Sequence, residues 1–451
     1  MLTFESLEKS ILSGAIDTVI VAFPDLQGRP VGKRMTGKFF LSHVVEHGWE
    51  ACDYLLGVDV DMEPLPGYNF ANWDLGYGDV VASLDLSTIT LIPWLEGSAM
   101  VLCDVADTAG VPVEVSPRQI LRRQIERAEQ LGFTIKCATE LEFYLFSESY
   151  EEASAKGWQD LTPHCDTIED YQLLQTSRDE YIIRRIRNEM LAAGFPVEGS
   201  KGEAGRGQHE INLLFDTPLV TADRHLIFKN GIKEIASQEG RAATFMAKWT
   251  MDDSGSSCHI HTSLWDKDDK PLMDDPSTPS GLSRVGQQFL AGQIYAAKDL
   301  AWCAAPYINS YRRYVPESWA PTAVAWGQDN RTCGFRIVGH GSGRRIESRV
   351  PGADVNPYIA LAAAIGAGLY GIEHELELGA PFEGNAYTSE LVDRLPLTLA
   401  ASLSSLESSE VAKEIFGPDV HHHMTNTARQ EWNKSNRHVS DWELARNFER
   451  I

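Results

Sequence analysis

Apolar and polar positions alternate along the chain with two periods, and the switches between them outline its elements. Residues Phe4 to Ser13 have the pattern of a short amphipathic helix. A β-branched run from Thr18 to Phe23 follows, closed by a turn at Asp25-Leu-Gln-Gly28. Short apolar runs separated by Gly, Pro and Asp continue through 83–86, 88–91 and 100–103, which predicts a compact sheet-containing unit over roughly residues 16–110. Ser116 as an N-cap with Pro117 at the first helical position opens a helix through Ala128. The domain boundary is placed just before it, dividing the chain into 1–112 and 113–451. Beyond it, helices around Ser177–Ala193 and Pro357–Glu375 mix irregularly with strands, which reads as α+β. The polar stretches Ser147–Thr162 and Asp266–Ser283 read as loops.

Several predicted strands carry charge on one face. In Ile135-Lys-Cys-Ala-Thr-Glu140-Leu-Glu142 the period of two puts Glu140 and Glu142 side by side, and burying two such carboxylates requires a cation, an arginine or water. Cys258-His259-Ile-His261-Thr-Ser263 aligns two imidazoles and a hydroxyl directly after the flexible Ser254-Gly-Ser-Ser. Glu210 opens a further strand, Glu203 lies upstream of it across a Gly205/Gly207 turn, and Arg345-Ile-Glu347-Ser-Arg349 repeats the device. A sheet that brings these segments together would hold carboxylates, imidazoles and arginines in one cavity. With oxygen donors dominant and thiolates absent, magnesium or manganese is favoured over zinc, and the arginines suit phosphates and carboxylates. Unrelated surface salt bridges are the alternative.

Composition narrows the field. With 451 residues, 43% hydrophobic and 23% charged, the chain is that of an ordinary globular protein. Its net charge of −24 repels nucleic acids and anionic membrane surfaces and attracts cationic small molecules. Seven scattered cysteines without a C-x-x-C pair speak against a disulfide framework or a thiolate zinc site and fit a cytoplasmic setting. No stretch approaches the length of a spanning helix, and the N-terminus lacks the marks of a signal peptide, so neither a membrane anchor nor export is expected. Gly28-Arg-Pro-Val-Gly32-Lys33 falls one residue short of a phosphate loop, and His421-His422-His423 reads as a solvated surface.

Taken in order, Ala138-Thr-Glu-Leu-Glu-Phe-Tyr-Leu-Phe, Gly207-Gln-His-Glu-Ile, Gly255-Ser-Ser-Cys-His-Ile-His-Thr-Ser-Leu, Asn309-Ser-Tyr-Arg-Arg, Asp329-Asn-Arg-Thr-Cys-Gly-Phe-Arg and Arg344-Arg-Ile-Glu-Ser-Arg resemble the type I glutamine synthetase family over nearly the whole length. The resemblance implies an N-terminal β-grasp domain and a C-terminal catalytic domain with an antiparallel sheet, assembled as a homo-oligomer of stacked hexameric rings with active sites between subunits. It implies Glu142, Glu203 and Glu210 around the Mg²⁺ or Mn²⁺ nearest glutamate, and Glu140, His259 and Glu347 around the one on the ATP phosphates. Arg336 and Arg345 match phosphate-binding arginines, and Phe215, His261 and Ser263 match positions near the nucleotide. Arg313, Arg331 and Arg349, with the Gly255 backbone, match the glutamate and γ-phosphate end, where Glu142 and His259 also border the substrate. The implied reaction phosphorylates the glutamate side chain from ATP, with Arg331 and Arg336 neutralising the moving phosphoryl group, and an amine then attacks the acyl phosphate.

The chain departs from ammonia-using members at the flap. Trp319, in Pro316-Glu-Ser-Trp319-Ala-Pro, stands where they carry a proton-accepting glutamate, and their N-terminal ammonium-binding Asp and Ser are not recognisable in 48–57. An indole cannot take a proton, but it can stack on an alkyl chain or face an ammonium. The acceptor is therefore expected to be an organic amine, a polyamine or a small monoamine, as in γ-glutamylpolyamine synthetases. An ammonia-using glutamine synthetase with Glu317 or another acid as base, and a catalytically silent ring-forming member, are the alternatives. Ser254 replaces the usual Asn near the glutamate end, and the surroundings of Tyr387 differ from the adenylylation site of some members, so no such control is expected.

Overall fold

The computed structural model describes residues 2–451, and two sheets organise it. The first gathers β1 (Thr18–Pro24), β2 (Pro30–Thr36), β3 (Trp49–Cys52), β4 (Asp79–Leu84), β5 (Thr90–Leu91) and β6 (Ser98–Asp107) in the order β2-β1-β6-β4-β3, with β5 beside β6. β1 and β2 form an antiparallel hairpin, β1 and β6 run parallel at the centre, and helical residues 37–47 link β2 to β3. This mixed order is the expected β-grasp arrangement.

The second sheet contains β7 (Thr134–Phe146), β8 (Val197–Gly202), β9 (Gln208–Leu213), β10 (Ala242–Thr244), β11 (Cys258–Trp265), β12 (Trp326–Gln328), β13 (Phe335–Val338) and β14 (Arg345–Ser348). Its order is β12-β13-β14-β11-β7-β9-β8, with β10 on the far end of β7. Pairing is antiparallel except between β12 and β13. Alternation along β7 buries Cys137, Leu141 and Phe143 on one face, towards the helices Pro218–Gln238 and Pro117–Gln130, and leaves Glu140 and Glu142 on the other.

The Pro357–Glu373 helix starts where Asn356 caps it, its Oδ1 accepting from the Tyr358 amide at 3.0 Å, with proline at the first helical position. It packs backbone to backbone on the helix Arg284–Ala296, because a Cβ on Gly371 would lie 2.1 Å from the Gln288 carbonyl oxygen. Only glycine allows that approach. The two sheets are joined through Arg118, which is 1% exposed at the start of the helix Pro117–Gln130. Its guanidinium donates to Asp104 at 2.6 Å and Asp85 at 2.9 Å from the first unit, and to Asp223 at 2.8 Å in the Pro218–Gln238 helix. Tyr358 adds a donor to Asp223 at 2.7 Å.

Two expectations change. The stretch Ser147–Thr162 is not all loop, since Ser149 and Glu152 form a reciprocal cap on a short helix, Tyr150–Ala155. The three consecutive histidines are not a solvated surface. They lie in the helix Pro418–Asn436, where His421 and His423 are buried and donate to the Leu406 and Leu56 carbonyls at 2.7 and 2.8 Å. A backbone carbonyl is the partner that lets a neutral imidazole be buried cheaply, and burial pushes His423 down to about 4. All seven cysteines are free thiols, and among the described residues no helix is long and apolar enough to cross a membrane.

Candidate active site

Strand register brings the charged residues into three rows on one face of the second sheet. Arg336, Glu347, His261 and Ala138 pair across β13, β14, β11 and β7. His259, Glu140 and Asn212 pair across β11, β7 and β9, and Glu142, Glu210 and Lys201 pair across β7, β9 and β8. Directly opposed residues share a face, so the rows stack side by side.

The rows carry two clusters. In the first, oxygens of Glu142, Glu203 and Glu210 lie within 4.8 Å of one another. Glu142 accepts from the Ser257 amide at 2.7 Å and from Gln208 at 3.2 Å, Glu210 accepts from Asn212 at 2.9 Å, and Glu203 pairs with Lys201. Burial and the Glu203 charge push Glu142 up to about 7, and burial with the charges of Glu142, Glu140 and Glu203 pushes Glu210 up to about 8.

The second cluster centres on Glu140, which both histidines grip: His259 Nδ1 lies 2.9 Å from Oε2 and His261 Nε2 lies 2.9 Å from Oε1. Burial would raise Glu140, but these hydrogen bonds outweigh it and hold the carboxyl far below its usual range. Arg345 Nε donates to His261 Nδ1 at 3.1 Å, which fixes the tautomer that donates to Glu140. Burial and the Arg349 charge push His259 down to about 4, and its Nε2 is buried without a partner. Glu347 accepts from Arg336 at 2.5 Å and Arg349 at 2.7 Å, and Asp329 holds the other end of Arg336.

A cavity of about 570 Å³ opens over both clusters, lined by Glu140, Glu142, Glu203, Glu210, His259, Glu347, Arg331, Arg336, Arg349, Gly255 and Trp319. A second cavity of about 280 Å³ shares Glu140 and Asn212 with it and is lined by Phe215, His261, Ser263 and Arg345. Trp319 is 58% exposed, with a left-handed φ of 63°. Glu317 is exposed and does not line the cavity. Arg313 is placed differently from the other arginines. It is 1% exposed behind Gly255, donating to the Val350 and Arg349 carbonyls and to Ser257 Oγ at 2.8, 3.0 and 2.8 Å. A Cβ on Gly255 would lie 2.7 Å from the Arg313 side chain, so glycine there keeps the arginine seated under the cavity wall. The Tyr387 hydroxyl is buried.

Four further residues line the main cavity without having stood out in the sequence: Lys201, Gln208, Asp170 and Tyr171. Lys201 sits over the Tyr171 ring at 4.7 Å and reaches Asp170 at 4.0 Å. Lys201 was readable from strand alternation with Glu203. Asp170 and Tyr171 lie in irregular chain with no period to point at them.

Fold and site together define a two-cluster acidic cavity, and residues 114–447 match the glutamine synthetase catalytic domain model. The chain is 49% identical over 447 residues to γ-glutamylethanolamide synthetase of Streptomyces coelicolor, covering 99% of this chain and 96% of that one. It is 41% identical over 434 residues to glutamate–isopropylamine ligase of a Pseudomonas species, covering 96% and 95%. The solved structure of apo GmaS without ligand superposes with a TM-score of 0.86 at 27% identity, over 98% and 99% of the two chains. The chain belongs to the glutamine synthetase family. Within it, the chain falls in the glutamate–amine ligase branch.

Proposed function

We propose that the protein uses ATP to activate the γ-carboxylate of glutamate and joins it to a small organic amine, giving a γ-glutamylamide. The observation that carries this reading is one cavity holding two carboxylate-rich clusters, three arginines and an exposed indole.

The donor sets fit divalent cations. Three carboxylates held together, two of them raised in pKa by burial and mutual repulsion, are relieved by a bound dication, and oxygen donors suit Mg²⁺ or Mn²⁺. Glu142, Glu203 and Glu210 would hold the ion nearest glutamate. Glu140, His259 and Glu347 would hold the ion on the ATP phosphates, since His259 Nδ1 faces both carboxylates, 2.9 Å from Glu140 and 3.7 Å from Glu347. His261 is a further candidate, since its ring nitrogen groups with Glu140 and Glu347 within 4.8 Å. When bound, such ions supply charge neutralisation for phosphoryl transfer.

The chain's own residues complete the arrangement. Arg336 and Arg349 are pinned by Glu347, so their charges are set before substrate arrives and need no reorganisation. Phe215, His261, Ser263 and Arg345, around the adjoining cavity, suit the nucleotide, with its phosphates reaching the shared Glu140. Arg331 and Arg336 would neutralise the phosphoryl group in transit, and Gly255 with Arg349 would border glutamate, above the buried Arg313. Trp319 offers a face for an alkylammonium but no proton acceptor. The amine's proton would then pass to a carboxylate of the same cavity, and Asp170, outside both proposed ligand sets, is a candidate.

The amines named for the two relatives, ethanolamine and isopropylamine, are short monoamines, and they move the expectation from polyamines towards small monoamines. A polyamine acceptor remains the second reading, favoured by the net charge of −24. Ring assembly fits the exposed Trp73, Leu75, Trp442 and Phe448, which a neighbouring subunit would cover. Glutamate-dependent ADP release measured with ethanolamine, isopropylamine, putrescine, spermine and ammonium tests the reading. A preference for a short monoamine supports it, and a preference for ammonium overturns it.

A further inference from the structure

Beneath the active-site face lies a second cluster of ligand-type side chains that the proposed reaction does not use. His209 precedes Glu210 on β9, and strand alternation turns it to the opposite side of the sheet, away from the carboxylate cavity. There it meets Asp179, from the helix Leu173–Ala192, and Glu169, from the irregular segment before that helix. His209 Nε2 lies 2.9 Å from Asp179 Oδ2 and 3.8 Å from Glu169 Oε2. His164 Nε2 lies 3.2 Å from the other oxygen of Asp179. Asp179, Glu169 and His209 are each no more than 1% exposed.

The chemistry of Glu169 makes this more than an ion pair. Its side chain is fully buried, and neither carboxylate oxygen has a nitrogen or oxygen donor within hydrogen-bond reach among the described residues, although one points at His209. The one thiol nearby, Cys165, is buried, lies 3.3 Å from Thr167 Oγ1, and offers Glu169 only a weak S–H donor. Native proteins seldom leave a buried carboxylate with both oxygens unsatisfied. The surroundings are cut to hold it there, since a Cβ on Gly202 would fall 2.7 Å from the Glu169 Cβ. Around a tetrahedral ion with bonds of ~2.0–2.1 Å, ligand atoms stand roughly 3.3 Å apart. The two separations from His209 Nε2, 2.9 Å to Asp179 Oδ2 and 3.8 Å to Glu169 Oε2, bracket that edge length.

We propose that Glu169, Asp179 and His209, with His164 at the rim, form a structural divalent-metal site of zinc type, separate from the catalytic pair. Imidazole nitrogen and carboxylate oxygen are ligands that zinc takes, and Glu169, Asp179 and His209 are all buried. The ion would tie segment 164–171, which supplies Asp170 and Tyr171 to the active cavity, to the strand that supplies Glu210.

The test reads metal content and does not depend on turnover. Protein produced with Zn²⁺ in the medium, briefly dialysed against EDTA and analysed by inductively coupled plasma mass spectrometry should keep about one zinc per chain. The E142Q/E347Q chain, damaged in both catalytic clusters, should keep it too, and E169Q should lose it. Zinc absent from the dialysed natural chain overturns the proposal. So does zinc lost from E142Q/E347Q, which would place it in the catalytic cavity, or zinc kept at the same level in E169Q.

Discussion

In the proposed reaction, Trp319 is the residue on which acceptor choice would turn. Its indole lines the cavity and is largely exposed, while the neighbouring Glu317 stays outside. A cation–π or stacking contact there is worth ~0.5–2 kcal/mol, so Trp319→Ala should lower kcat/KM for a short alkylamine about 2- to 30-fold and leave the KM for glutamate and ATP nearly unchanged. Steady-state kinetics check this, and an unchanged amine KM and kcat would remove Trp319 from the acceptor site. Glu142 and Glu210 make a second prediction, in pH. Their folded pKa values, about 7 and about 8, lie above the ordinary 4.5, so the metal-free protein holds protons there that the unfolded chain releases. This contribution to stability is complete below about pH 4.5 and is lost as pH rises through 7 and 8. Thermal melts of metal-free protein should fall over that range, and Mg²⁺ should raise the melting temperature strongly at pH 8.5 and little at pH 5.5. Equal shifts at both would mean that the carboxylates do not compete protons against metal.

At the scale of elements, the legible part of the site was the part written in strands. Glu140 and Glu142, His259 and His261, and Glu347 follow a period of two, and once that period is recognised their common face follows without coordinates. What stayed hidden lies where no period operates. Asp170 and Tyr171 sit in irregular chain, the Tyr150–Ala155 helix depends on a local capping box inside a polar stretch, and the histidines at 421–423 look polar until their carbonyl partners are known. Arg313 was recognisable as part of a motif, but its burial behind Gly255 depends on tertiary packing. Helix packing gives a prediction at this scale. A side chain at Gly371 must displace the backbone of the Arg284–Ala296 helix, so Gly371→Leu should destabilise by ~2–3 kcal/mol or more. Chemical denaturation measures it, and an unchanged midpoint would contradict the tight crossing.

For the whole molecule, one buried guanidinium ties the two sheets, beside a shared apolar core and bonds such as that from Trp94 to Glu234. Arg118 balances Asp85, Asp104 and Asp223, and burial already pushes Asp223 above its usual range despite that partner. Removing the cation strands a buried charge, which costs ~3–5 kcal/mol. Arg118→Met should therefore lower stability by about that amount, and the double change Arg118→Met with Asp223→Leu should recover part of it. Equal losses in the single and double variants, read by denaturation, would show that the charges are not coupled.

The central claim is that this cavity passes the γ-phosphoryl group of ATP to a carboxylate before any amine is joined. Positional isotope exchange measures that step alone: ATP carrying ¹⁸O in the β,γ-bridge is incubated with the protein, Mg²⁺ and glutamate, without amine. Bridge-to-nonbridge scrambling that requires glutamate and disappears in Glu347→Gln is the predicted result. Amide formation from an added amine with no scrambling at any glutamate concentration would contradict it.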